Sequence, residues 1–327
     1  MAESFAGRNL KILVILSFAA IYIIWGSTYL GILLAIETIP PFFMAGSRFL
    51  IAGGLLLLWG FLRGEKLPDT SSLLKISFSG ILMLFLGNGA VVYVEQFLPS
   101  GLAAIVVATV PLWFVVLDKR QWNFYFSNWQ IILGLLIGFG GVTLLFAGEA
   151  GGDLFSDQTK FISLLVLIGG TVAWTVGTLY SKYKKMQGST IMKVAVQMLA
   201  AGICFFPLGF VLNEQKEFAI NSISPTSLLA LIYLIFFGSI VAYLAYMWLL
   251  SIKPASLVGT YAYVNPLVAV FLGWLIANEA ISIQQAIGLG IIIIGLMIVN
   301  FSKEKVSTTA KSVSHVSKEP DAVETPH

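Results

Sequence analysis

Long apolar runs separated by short polar stretches make up most of this chain. A helix needs about 20 apolar residues to cross the hydrocarbon core of a bilayer, and ten runs approach that length. We predict membrane spans at residues 10–36, 42–62, 75–97, 102–117, 129–148, 161–181, 190–212, 226–250, 255–276 and 284–301. The pattern therefore predicts an all-α polytopic membrane protein with ten transmembrane helices.

The second five spans repeat landmark residues of the first five in the same order. Apolar residues match each other often by chance, but tryptophans, prolines and paired glycines do so rarely. With shifts of 149 to 155 positions, the matched pairs are Trp25 with Trp174, Arg48 with Gln197, Pro99 with Pro254, Pro111 with Pro266, Gly134 with Gly288 and Gly141 with Gly295. Because five is an odd number, the second copy enters the membrane upside down, so we predict two inverted five-helix repeats.

The repeats define the predicted domain organisation. The first repeat covers residues 1–148 and the second covers residues 161–301. A linker that carries acidic residues and glycines joins them at 149–160. The polar end of the chain, 302–327, is predicted to be a disordered cytoplasmic tail, because it has too few apolar residues to build a core.

Basic residues are distributed unequally between the two sides of the predicted membrane. With the amino terminus inside, 16 of the 19 Lys and Arg residues fall on the cytoplasmic side, Lys160 and Lys216 fall outside, and Arg48 lies within a span. Short loops with an excess of Lys and Arg remain in the cytoplasm. We therefore predict a multi-pass protein of the plasma (bacterial inner) membrane with both termini cytoplasmic and the linker on the periplasmic side.

The composition of the chain and its lack of certain motifs exclude several functional classes. The chain is 58% hydrophobic and 11% charged, whereas about a quarter of the residues in soluble domains are charged. A net charge of +3 is too small to indicate nucleic-acid binding. Both histidines, His315 and His327, lie in the tail, and the sequence has neither a metal-ligand cluster within a span nor a phosphate-loop motif. We therefore expect no metal, no cofactor and no enzymatic activity.

Two matched spans each carry one proline at their start and a second in their interior. An interior proline removes a backbone hydrogen bond and frees a carbonyl one turn earlier, and in hydrocarbon that carbonyl needs a partner. The interior prolines are Pro111 and Pro266. We predict that both are hinge or gating sites.

Several short motifs accompany the two five-span halves. They are Trp25-Gly-Ser-Thr-Tyr29, Arg48-Phe-Leu after Pro40-Pro41, the spacing of Pro99 and Pro111 with its copy at Pro254 and Pro266, and the segment from Gly273 to Glu279 before a glycine-spaced last span. Together, over residues 10–301, they resemble the EamA-type branch of the drug/metabolite transporter superfamily.

The resemblance implies a ten-helix carrier whose cavity is lined mainly by spans 1, 3, 4, 6, 8 and 9. Members of this type often export amino acids, metabolites or toxic small molecules. One departure concerns Glu279, which has no acidic match in the first half, where Asp118 lies nearer the helix end. We therefore expect the loops of the two halves to differ in role.

Arg48 is the one cation that lies away from the ends of a predicted span. It lies roughly 10 Å along its helix, and an arginine at a helix centre costs about 2.5 to 3.5 kcal/mol. Two interpretations stay open: Arg48 reaches the outer interface or pairs with Glu95, or it binds an anionic substrate group. Glu95 is accordingly a candidate charge partner or a candidate proton site.

Aromatic and amide side chains supply the remaining polar groups. Those deep within a span favour a cavity, because an interfacial belt cannot use them. The candidate substrate-binding residues are Arg48, Trp25, Tyr29, Asn88, Trp174, Tyr243 and Asn265.

These patterns predict an alternating-access secondary transporter for a small organic solute (an amino acid, a metabolite or a drug-like compound), acting in export. A passive channel and a non-transporting receptor or scaffold are the alternatives. The expected partners are the substrate and membrane lipids, without nucleic acid. The glycines of spans 5 and 10 favour close helix packing and leave a homodimer open.

The predicted orientation can be tested with introduced cysteines in a Cys204→Ala background. A cysteine at Asp153 should react with an impermeant thiol reagent added to intact cells, because the linker is predicted outside. A cysteine at Lys185 should react only after permeabilisation, because that basic loop is predicted inside. The reverse labelling pattern would overturn the orientation.

Overall fold

A computed structural model describes residues 2–98, 100–145, 157–216, 219–277 and 282–316, and within these ranges every regular element is helical. The α-helices are α1 (Ala2–Ile36), α2 (Pro41–Leu62), α3 (Thr70–Gly80), α4 (Gly89–Val94), α5 (Ser100–Val107), α6 (Val110–Leu117), α7 (Trp122–Ser127), α8 (Trp129–Leu145), α9 (Gln158–Tyr183), α10 (Thr190–Val211), α11 (Pro225–Tyr233), α12 (Ala242–Ile252), α13 (Ala255–Val258), α14 (Tyr261–Ala277) and α15 (Ile283–Val316). Two π-helical stretches, π1 (Ile81–Asn88) and π2 (Leu234–Val241), join α3 to α4 and α11 to α12.

The described helices make this a polytopic membrane protein, as predicted. Seven of them are long and apolar enough to cross a bilayer, and the number is eight if the pair Leu102–Leu117 and Lys119–Ser127, bent by 65°, forms one span. Two further apolar helices, Trp129–Leu145 and Ile283–Val299, are shorter. Apolar run length thus located the helical segments of the bundle.

The end of the chain differs from its predicted boundary. Helix α15 continues beyond Phe301 to Val316, because no glycine or proline interrupts the sequence between Gly295 and Pro320. The predicted tail beyond residue 316, most of the linker (149–156), Pro99 and Glu279 lie outside the described residues.

Helices α2 and α10 pack closely against each other through small residues. A Cβ atom on Gly53 would lie 2.9 Å from the carbonyl oxygen of Ala195, and one on Gly202 would lie 2.9 Å from the backbone nitrogen of Leu50. Gly202 is the residue that matches Gly53 at a shift of 149. The two glycines therefore make corresponding contacts from opposite helices.

Helices α8 and α15 form a second close pair. A Cβ on Gly134 would lie 2.8 Å from the carbonyl oxygen of Gly295, and one on Gly141 would lie 3.0 Å from that of Gly288. Small residues allow such backbone approach, and van der Waals contact drives helix association in lipid. These four glycines pack helices of the same chain against each other. The homodimer stays a prediction, and its interface has to use other residues.

Two carboxylates contact the amino termini of the α2–α10 pair. Glu214, after α10, accepts hydrogen bonds from the backbone N–H groups of Phe42 (2.9 Å) and Phe43 (2.9 Å) at the start of α2. Glu65, after α2, accepts a hydrogen bond from Ser189, the N-cap of α10. The first N–H groups of a helix lack intrahelical partners and favour negative charge. Each carboxylate therefore stabilises the start of the opposite helix, directly or through its cap.

The π-helical stretches lie where spans of one half meet the other half. Stretch π1 packs against α9 and α10, whereas π2 packs against α1 and α2. A π-helical turn is wider than an α-helical turn and often occurs at functional sites. The two stretches therefore mark the inner surfaces on which a central site is built.

The glycine contact between α8 and α15 yields a matched test on one helix. Gly295→Ala should lower the free energy of unfolding by about 1–3 kcal/mol, because its Cβ would lie 2.5 Å from the Gly138 nitrogen and 2.6 Å from the Gly134 oxygen. Gly290→Ala should be neutral or stabilise by up to about 1 kcal/mol, because nothing lies within 4 Å of its Cβ position. Unfolding curves of the purified variants in one detergent measure both changes. Equal destabilisation would contradict the close contact.

Candidate functional site

A cavity of about 80 Å³ lies at the centre of the helix bundle. Its walls come from α1, α2, π1, α4, α5, α6, α9 and α14. Binding sites for small molecules usually measure about 300 to 1,000 Å³. The walls therefore stand close together in this conformation, and a bound solute requires them to separate.

Six of the seven predicted substrate residues lie at this cavity. They are Trp25, Tyr29, Arg48, Asn88, Trp174 and Asn265. The residues come from five separate helical segments in both halves of the chain. The structure thus brings together side chains that are up to 240 positions apart in sequence.

The matched tryptophans Trp25 and Trp174 meet directly at the cavity wall. Their ring centroids are 5.8 Å apart at an interplanar angle of 80°, an edge-to-face geometry that aromatic pairs favour. The Trp25 indole N–H donates to the carbonyl of Gly238 in π2 (3.0 Å), and that of Trp174 donates to the Tyr246 hydroxyl (3.2 Å). Both rings are therefore held in place by groups behind the wall.

Arg48 is buried, with 3% of its surface exposed. Its Nε donates to the Ser239 hydroxyl in π2 at 2.8 Å, and its guanidinium carbon lies 5.0 Å from the ring centroid of Phe49. Its Nη1 atom is buried and has no hydrogen-bond partner among the described residues. Arg48 lines the cavity and keeps one unused donor, from which an anionic group can accept a hydrogen bond.

Glu95 and Asn88 also carry unused polar atoms. Both carboxylate oxygens of Glu95 and the Oδ1 atom of Asn88 are buried without a hydrogen-bond partner in the described part of the chain. Arg48 and Glu95 therefore form no direct hydrogen-bonded pair in this conformation. Buried polar atoms are normally satisfied, so these atoms call for a ligand, water or a different conformation.

Gln197 and Tyr243 lie behind the cavity wall. The Tyr243 hydroxyl donates to Gln197 Oε1 (3.1 Å), and Gln197 Nε2 donates to the Ser79 hydroxyl (2.8 Å). Arg48 and its match Gln197 thus each donate to a serine of the opposite half. Unlike the other six candidates, Tyr243 does not line the cavity; its ring packs against Trp174 at 6.3 Å.

The two interior prolines occupy different positions relative to the helix breaks. Pro111 is the second residue of α6, directly after the break between α5 and α6. Pro266 lies inside α14, and the break in its span comes earlier, between α13 and α14. Asn265 directly precedes Pro266. Its amide nitrogen, in the orientation that lets it donate, forms hydrogen bonds to the carbonyl oxygens of Tyr261 (2.9 Å) and Tyr22 (3.3 Å). The hinge roles stay predictions.

Sequence reasoning missed several groups at or behind the wall. Thr28 and Thr171 line the cavity, and Tyr261 does so with its ring 4.7 Å from that of Trp25. The threonines lie three residues from the matched tryptophans, on the same helix faces. Helical spacing from each tryptophan was therefore the available signal, whereas nothing in the sequence indicated that Ser239 contacts Arg48.

The chain is similar to known transporters along most of its length. The model of the EamA-like transporter family matches residues 12–147 and again residues 161–301. A relative from Escherichia coli (strain K12), named as the uncharacterized inner membrane transporter YedA, is 40% identical over 285 residues, which cover 87% of this chain and 89% of the relative. Another from Bacillus subtilis (strain 168), named as the uncharacterized transporter YvbV, is 25% identical over 294 residues, which cover 89% and 92%.

One solved crystal structure is similar to this chain and supports the fold alone. It is 19% identical, the match covers 90% of this chain and 98% of that chain, and the two superpose with a TM-score of 0.71.

Two buried serines test how Arg48 is held. Ser239→Ala should lower the free energy of unfolding by about 1.5–3 kcal/mol, the range for hydrogen bonds to charged groups, because Arg48 Nε loses its acceptor. Ser163→Ala should be nearly neutral, because its buried hydroxyl has no partner among the described residues. Thermal or denaturant unfolding of the two variants gives the comparison. A Ser239→Ala protein as stable as Ser163→Ala would show that the bond to Arg48 does not contribute.

Proposed function

Because this chain belongs to the EamA-like transporter family, we propose that it moves a small organic solute across the plasma membrane by alternating access, in the direction of export. Its family and its relatives support a multi-pass inner membrane transporter. The substrate class, the direction and the mechanism are parts of the proposal. A non-enzymatic carrier is also in keeping with a cavity lined by aromatic, amide and hydroxyl groups.

The proposed architecture is ten spans in two inverted repeats. The two matches to one family model, at 12–147 and 161–301, support a duplication. The eight spans that include the bent pair, together with the shorter helices α8 and α15, supply ten segments. Repeats of odd span number lie in opposite orientations, which is a common construction of secondary transporters.

Exchanged contacts between the halves support this symmetry. Stretch π1 of the first half packs against α9 and α10, and π2 of the second half packs against α1 and α2. Arg48 donates to Ser239 in the second half, and Gln197 donates to Ser79 in the first. Two halves built alike can exchange their conformations, which opens the cavity first to one side and then to the other.

The observation that carries the proposal is the meeting of Trp25 and Trp174 at the cavity. Matched residues of the two halves touch there, 5.8 Å apart between ring centroids, so the cavity lies at the junction between the halves. The cavity of about 80 Å³ is too small for an organic solute. Transport therefore requires the halves to move apart at this junction, which is the motion that alternating access needs.

Arg48 is proposed to bind an anionic group of the substrate. Its unused Nη1 atom lies in a site shielded from solvent, and a charge-assisted bond in such a site is stronger than one in water. A planar guanidinium suits a carboxylate or phosphate, which it can hold with two parallel bonds. The match of Arg48 in the second half, Gln197, is uncharged, which supports a role for the Arg48 cation beyond helix packing.

The proposed orientation has both termini in the cytoplasm. It rests on the excess of Lys and Arg in the loops on that side. The lysine-rich end of the bundle is the one that carries Lys75, Lys185 and Lys193. Export then carries solute from this end to the end where Glu214 contacts α2.

The transport proposal can be tested without knowing the substrate. Metabolites in the medium of cells that express the protein are compared with those of cells that lack it, and any exported compound is then followed in proteoliposomes. Saturable flux and exchange of labelled for unlabelled compound are expected of a carrier. An expressed, folded protein that exports no compound and exchanges none would overturn the carrier proposal, and linear, non-saturating flux would indicate a channel.

Arg48 has a matched control in Arg63, the residue that follows the same helix, α2. Arg48→Gln should raise the half-saturating concentration of an anionic substrate at least about tenfold, given the usual strength of charged hydrogen bonds. Arg48→Lys should lie between Arg48→Gln and wild type, because the charge remains. Arg63→Gln should transport as wild type, because Arg63 packs over Trp59 at 5.1 Å outside the cavity. Wild-type affinity in Arg48→Gln would end the anion proposal and leave the carrier proposal intact.

A further inference from the structure

A second, larger cavity lies at the lysine-rich end of the bundle, away from the central one. Its volume is about 630 Å³, and its walls come from α3, α9, α10 and α12 and the loop between α9 and α10. Five lysines line it: Lys75, Lys182, Lys184, Lys185 and Lys193. A size in the usual range of ligand pockets distinguishes this basic cavity from scattered surface charge.

One acidic residue, Asp69, lines the basic cavity. A hydrogen bond from the Ser72 side chain, with further bonds from the backbone, lowers the pKa of Asp69 below its ordinary value. Asp69 is therefore ionised at neutral pH. Five ammonium groups against one carboxylate leave the cavity strongly positive.

Three of the five lysines have no ammonium partner in the described part of the chain. Lys182 donates to the backbone carbonyls of Leu250 and Lys253, and the Lys184 ammonium lies 5.9 Å from the ring centroid of Tyr180. The ammonium groups of Lys75, Lys185 and Lys193 make no hydrogen bond or ion pair with any described residue.

Neutral donors and apolar groups complete the walls. The hydroxyls of Ser72, Ser181, Thr190 and Ser251 line the cavity, and Thr190 is the first residue of α10. The amino terminus of a helix carries a partial positive charge and attracts phosphate oxygens. Met247 and Leu250 add apolar surface on the α12 side, where the glycerol and acyl region of a lipid can pack.

We propose that this basic cavity binds the phosphate of an anionic ligand. Phosphate offers several strong acceptor oxygens, and ammonium groups bind it as point charges. Basic pockets between membrane helices are typical sites for acidic lipid head groups. A soluble phosphate compound offers the same chemistry, so the phosphate group defines the ligand class, and experiment separates the two sources.

Ligand binding at this place links four helices. Lys75 comes from α3, Lys182 from α9 and Lys193 from α10, and Lys182 also holds the end of α12 through the Leu250 carbonyl. These helices belong to both halves of the chain. A bound phosphate therefore stabilises the folded bundle, and its affinity can be read as a shift in unfolding temperature.

The test uses the purified full-length protein in detergent with phosphatidylcholine. Its unfolding midpoint is followed as phosphatidylglycerol, further phosphatidylcholine or inorganic pyrophosphate is added. We expect phosphatidylglycerol or pyrophosphate to raise the midpoint by several degrees and further phosphatidylcholine to leave it unchanged. A response to phosphatidylglycerol alone identifies a lipid head group, and a response to pyrophosphate identifies a soluble phosphate. No response to either overturns the proposal.

A matched pair of triple variants separates the cavity from general surface charge. Lys75→Gln/Lys185→Gln/Lys193→Gln should raise the half-saturating concentration at least about tenfold, since it removes three of the five ammonium groups that attract the anion. Lys11→Gln/Lys66→Gln/Lys119→Gln removes the same charge from outside the cavity, at the same end of the bundle, and should respond as wild type. Equal weakening in both variants overturns the proposal.

Native mass spectrometry of the wild-type protein provides a readout that needs no variant. After incubation with an equimolar mixture of phosphatidylglycerol and phosphatidylethanolamine, or with pyrophosphate, the anionic ligand should be retained at higher occupancy than the zwitterionic lipid. Equal occupancy of all three would also overturn the proposal.

Discussion

Close contact between helices of the two halves is the interaction on which the rest of the structure depends. Water does not drive helices together inside a bilayer, so they associate through van der Waals contact and interhelical hydrogen bonds. Here α2 packs against α10 and α8 packs against α15 with backbones separated only by glycine hydrogens. The central cavity lies between helices of both halves, with α2 of the first pair and the π-helical stretch π1 among its walls.

Hydrophobic run length fixed most helix positions, because the thickness of the hydrocarbon core is a strict constraint. The predicted run 190–212 became Thr190–Val211, and 42–62 became Pro41–Leu62. Chain ends and local helix geometry were less accessible. The sequence does not distinguish π1 and π2 from α-helix, since that choice depends on packing against the other half. The continuation of α15 to Val316 could have been predicted, because no glycine or proline interrupts the sequence there.

The candidate site was predictable where residue type and depth agreed. Trp25, Trp174 and Arg48 are large or charged side chains deep in spans, and the structure places them at one cavity. Depth alone does not decide which way a side chain points. It therefore could not predict that Tyr243 lies behind the wall of the cavity. Partners from distant segments, such as Ser239 for Arg48, follow only from the tertiary arrangement.

The carboxylate contacts at the starts of α2 and α10 bear on how the gene can be recombined. Glu214 is encoded in the second half, yet it binds the backbone of Phe42 and Phe43 in the first, and Glu65 reaches Ser189 in the reverse direction. Each half thus carries the residue that completes the other. A chimera that joins the first half of this chain to the second half of a relative should keep a stable α2 only if the relative has an acceptor at the position of Glu214. Residues between the long helices therefore limit how the two halves of this chain can be exchanged.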